Sequence, residues 1–109
     1  MAERRLSLAD QAFVNALAMV VAPVLRDKAA LDEASGMVRA ALALGADTDA
    51  PVLAGLGNAW DGFEAARQSG DVPARARAEM VLREELAAFF RWRAMMALER
   101  AEAARKGAA

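Results

Sequence analysis

A chain of 109 residues fits a single domain and can bury a modest core of its own. Its 57% apolar content argues against disorder, and a formal net charge of −1 supplies no general field to attract nucleic acid or an anionic membrane. Cysteine, histidine and tyrosine are absent, which excludes a disulfide framework, a thiolate zinc site, a thiol nucleophile and the commonest general base.

No stretch alternates with period two, so the chain reads as all-α: one domain over 1–109, a small bundle of three to four helices with a long C-terminal helix. "LSLADQAF" opens the first helix, where Ser7 and Asp10 have the spacing of a capping box. That helix is expected over 8–28, with a kink or split at Pro23, whose ring cannot continue the hydrogen-bond ladder. The apolar run "AFVNALAMVVAPVL", 12–25, contains Asn15 and Pro23 and falls short of the roughly 20 residues that cross a bilayer. "MAERRLSL" has the charge of a leader, but no small-residue cleavage site follows, and a cytoplasmic location is expected.

A second helix is expected over 29–44, ended by Gly45 in a left-handed cap. After the turn "ADTDAP", Thr48 or Asp49 is the expected cap of a third helix over 50–69, with Pro51 in its first turn. Gly55, Gly57 and Gly62 inside it imply either close helix–helix approach or a break near 55–58. Gly70 ends it, and "DVP" starts a fourth helix over 73–105, roughly 50 Å long. Helices of ordinary length cannot cover such a rod, so its end frays or something else packs there.

On a helical wheel, Leu82, Leu86, Phe89 and Met96 of that rod share one arc, and Phe90, Ala94, Ala97 and Ala101 form a second beside it. Trp92, Val81, Leu98, Met80 and Met95 widen the apolar surface past half the circumference. Two readings follow: a central helix wrapped by its own chain, or one arc for the chain's own helices and another for a second subunit. The expected oligomer interface is Leu86, Phe89, Phe90, Trp92, Met95 and Met96. Arg93 either snorkels to solvent or donates an intersubunit ion pair. The remaining arginines scatter around the wheel, which does not suit a recognition helix in a major groove.

Chemistry-bearing motifs fail on inspection. "GLGNAWDG" has neither the spacing of a dinucleotide fingerprint nor the lysine of a P-loop, and "DTD" at 47–49 lacks the later ligands of a calcium loop. The hydroxyls of Ser7, Ser35, Thr48 and Ser69 have no histidine to activate them. No catalytic residue, cofactor or metal is therefore expected, and the chain is read as a non-enzyme.

Short buried helices followed by the glycine-rich "APVLAGLGNAWDGFEAARQSG" and the long "PARARAEMVLREELAAFFRWRAMMALERAEAARKG" resemble the oligomerisation core of small terminase subunits of tailed phages and gene transfer agents. The resemblance is one of architecture over the second half of the chain. It implies a bacterial or phage-like DNA-packaging adaptor that forms a multi-subunit ring and regulates a large terminase. DNA contact would be weak or indirect, through Arg4, Arg5, Arg105 and Lys106. The competing class is a monomeric or dimeric binding module, such as a bacterial regulator or secretion chaperone; a small helical enzyme is the third.

Overall fold

The computed structural model describes residues 6–22 and 27–108, and among them four helices and no strand. Helix α1 is Leu8–Val20, α2 Lys28–Ala43, α3 Pro51–Ser69 and α4 Val72–Ala108.

Local chemistry explains each boundary. Ser7 Oγ accepts from the Asp10 amide at 3.0 Å, and Asp10 Oδ2 accepts from the Ser7 amide at 3.0 Å, completing the capping box. Asp10 is fully buried, and its other oxygen accepts from the Asp47 amide at 2.9 Å, so the cap of α1 also pins the turn after α2. The first helix is shorter than its expected span to 28. It closes at Val21, whose amide donates to Leu17, two residues ahead of Pro23; a helical conformation at Ala22, the residue before the proline, is sterically disfavoured. The expected kink at Pro23 lies outside the described residues.

Asp27 caps α2, accepting from the Ala30 amide at 2.7 Å, and the helix therefore starts one residue before the expected 29. Its far end is a Schellman motif. Gly45 takes φ 105°, its amide donates to Leu42, and the Ala46 amide donates to Ala41.

Neither Thr48 nor Asp49 caps α3. The N-cap is Ala50, with no side-chain bond, followed by Pro51 at the first position. Thr48 instead lies against Gly57, where a Cβ would come within 2.8 Å of the threonine Cβ. Pro51, at the first position, leaves the helix with one fewer orphan amide and presets its φ for the first turn. The third helix runs unbroken through its glycines, and only two of them meet a neighbour: Gly57 meets Thr48 and Gly55 meets Glu85. Gly70, at φ 75°, ends it. Asp71 then accepts from the Ala74 amide at 3.1 Å and opens α4.

The first two helices pack along each other, as do the last two, and α1 joins the pairs through contacts with α4. Phe13, Leu17, Leu53, Leu56, Phe63 and Leu82 are fully buried between them. On the outside, α2 and α3 are tied by ions: Arg67 bonds Glu64 at 3.0 Å and also Asp32, while Arg39 bonds Glu64 at 2.6 Å. The Arg67 bond, followed by that from Lys28, holds the Asp32 carboxyl below its ordinary pKa. Burial pulls the Arg67 pKa down, but its bonds to Glu64 and Asp32 outweigh that and leave it raised.

At 37 residues α4 is about 55 Å long, against about 28 Å for the 19 residues of α3. The molecule measures 58 × 25 × 23 Å, so one helix sets its long dimension.

Candidate functional site

Because α3 and α4 form a hairpin through Gly70, the start of α3 lies level with the middle of α4, where Pro51, Val52 and Gly55 share a groove with Glu85, Phe89 and Trp92, and beyond Met96 no described side chain of α4 is buried. Leu82, Leu86 and Phe89 are the buried side chains of α4. Trp92 and Met96 are half-buried, and every described side chain after Met96 is exposed.

The residues expected at an oligomer interface therefore divide. Leu86 and Phe89, at 4% and 5% exposure, belong to the chain's own core, because they share the stripe with Leu82 that α3 and α1 cover. Phe90 and Met95 face solvent at 42% and 58%, as does Arg93. Met80, Val81 and Leu98 are exposed as well. Phe90 is held edge-on against Phe89, with ring centroids 5.7 Å apart, and Phe89 also meets Trp92 at 5.7 Å. An aromatic chain thus runs from the core to the outer surface.

A groove of about 530 Å³ lies where α3 begins, lined by Pro51, Val52, Gly55, Glu85, Phe89 and Trp92 among others. Its walls are apolar except for Glu85, whose carboxylate rests on Gly55; a Cβ there would overlap it. Glu85 has no ion-pair partner among the described residues. The groove was not legible beforehand, although Gly55 was its trace in the sequence: a glycine midway along a helix marked the close approach without revealing what approaches.

A second, more polar recess of about 310 Å³ is lined by Val20, Asp27, Lys28, Leu31, Arg67, Arg75 and Glu79. Arg67 and Lys28 are already committed to carboxylates there, and Arg75, which has no ion pair among the described residues, shares the lining with Asp27 and Glu79.

Arg105 and Lys106 are exposed in the last turn of α4, where the helix dipole favours cations. Arg4 and Arg5 lie outside the described residues. "GLGNAWDG" lies within α3, and "DTD" forms the turn in which Asp47 accepts from the Asp49 amide at 3.1 Å. Among the described residues no cluster of three acidic, histidine or cysteine side chains can hold a metal, and no helix is long and apolar enough to cross a membrane. No family model, curated protein or solved structure matches the chain.

Proposed function

We propose that the chain is a non-enzymatic, self-associating helical adaptor. One observation carries this reading: α4 leaves Met80, Val81, Phe90, Met95 and Leu98 in water along a helix that outruns its own bundle. Full burial of a phenylalanine or methionine is worth about 1.5–3 kcal/mol, so a row of such residues favours association.

The sharpest form of the reading is a small-terminase-like DNA-packaging subunit that forms a multi-subunit ring and regulates a large terminase. Its support is the long helix following a glycine-rich one, together with the charge of residues 91–109, which hold five basic and two acidic side chains. The groove beside Pro51 favours a second reading, a binding module that receives a client helix.

Light scattering coupled to size exclusion separates them. The adaptor gives a mass of several chains, and replacing Phe90 and Met95 by glutamate reduces it to one chain with helicity unchanged. A native chain that stays monomeric at every concentration overturns the adaptor, and global unfolding of the variant makes those positions plain core. Salt-dependent retention on DNA tests the packaging form, and no retention at about 50 mM salt removes direct DNA contact.

A further inference from the structure

We infer that α4 pairs antiparallel with α4 of a second copy, along the side carrying Val81, Ala88 and Met95, about a twofold axis at Ala88. This rests on the self-association proposed above and identifies the partner and the face.

Val81, Ala88 and Met95 recur every seven residues and so share one side of the helix. All three are exposed, and Ala88 lines the groove, where a small side chain lets a second helix approach closely. With the axis at Ala88, positions equally far from it along the two chains meet. Val81 then packs on the partner's Met95. Glu85 meets the partner's Arg91, and Arg77 meets the partner's Glu99. Asp71 reaches the partner's Arg105 and Lys106.

Every one of these charge contacts is between opposite signs. Arg77, Glu85, Arg91 and Glu99 have no ion pair in their own chain among the described residues. A parallel pairing along the same side sets each charge beside its own counterpart. The other exposed stripe, through Met80, Ala87, Phe90 and Ala94, has Arg83 in its middle, held by Glu79 at 3.2 Å. A seam there buries a guanidinium.

The surface area fits. The chain exposes 7165 Å², whereas a compact chain of 11.6 kDa exposes about 5,800 Å². The excess, roughly 1,300 Å², exceeds the approximately 800 Å² that each partner of a stable complex buries. A twofold contact closes on itself, so the mass is that of two chains or an even multiple, with the Phe90 stripe left for further assembly.

The chain has no cysteine, so Ala88→Cys offers a single thiol that meets its own copy at the axis. Mild oxidation yields a covalent dimer for Ala88→Cys and little for Ala101→Cys on the other stripe. Glu85→Arg weakens the pair by about tenfold or more, and adding Arg91→Glu to the same chain restores it. Six apart, these positions do not neighbour each other on their own helix, so rescue has to come across the interface. The pairing is overturned if Ala88→Cys cross-links no better than Ala101→Cys, if the double reversal stays as weak as Glu85→Arg, or if the native mass is an odd multiple. Should the native chain still assemble in any of these cases, only this pairing falls. A native monomer removes self-association as well.

Discussion

Ser35 is completely buried on α2, and its hydroxyl has no hydrogen-bond partner among the described residues. Asp10 is equally buried but accepts from two backbone amides. The contrast shows which polar group the fold needs: an unsatisfied buried donor costs roughly 1–3 kcal/mol, whereas a buried cap holds two segments together. Replacing Ser35 by alanine removes the orphan and improves helix propensity, so stability is expected to rise by about 1 kcal/mol in urea unfolding. A loss of stability would mean that the hydroxyl has found a partner. The Ser7–Asp10 cap was readable in the sequence because both partners lie three residues apart. The Asp10–Asp47 bond was not, since it depends on how two distant segments meet.

Among the elements, α2 and α3 depend most on charge, because the Arg39–Glu64–Arg67–Asp32 chain joins them from outside the core. The folded-state pKa of Asp32 is lowered from 3.8, chiefly by Arg67 and then by Lys28. A depressed carboxyl stabilises the fold fully above its unfolded pKa, and that contribution fades as pH falls through the folded value. Asp32→Asn is therefore expected to lower the urea midpoint most near neutral pH, with the gap to the native chain closing below about pH 4. A gap that is constant down to pH 2 would show that the charge of Asp32 is not its source. The four helices were legible from apolar spacing, glycine and proline; Ser7 and Gly70 set the start of α1 and the end of α3 where expected, whereas the Asp27 and Asp71 caps start α2 and α4 one residue earlier. The differences have physical causes: α1 closes two residues ahead of Pro23, and Thr48 packs on Gly57 rather than capping α3. Ion pairs 25 and 35 residues apart carry no local signature.

At the scale of the whole molecule, the chain is a bundle with a rod. The wheel of α4 showed excess apolar surface but could not say which arc the chain's own helices would take, and so Leu86 and Phe89 were placed at an interface when they belong to the core. What decides the matter is the hairpin at Gly70, which aligns α3 with only the first half of α4. The described side chains beyond Met96 are all exposed, so removing residues 98–109 takes no buried side chain from the bundle, although it removes Arg100 with its interaction, and it takes Glu99, Arg105 and Lys106 out of any pairing of α4 helices. Association stabilises a folded chain by mass action, which makes the melting temperature of the native protein rise with concentration. The shortened chain is expected to melt at the native protein's low-concentration limit, with little or no such rise, as thermal scans over a hundredfold concentration range would show. If the two proteins have the same concentration dependence, the end of α4 takes no part in assembly; if the shortened chain melts well below that limit, the end supports the bundle itself.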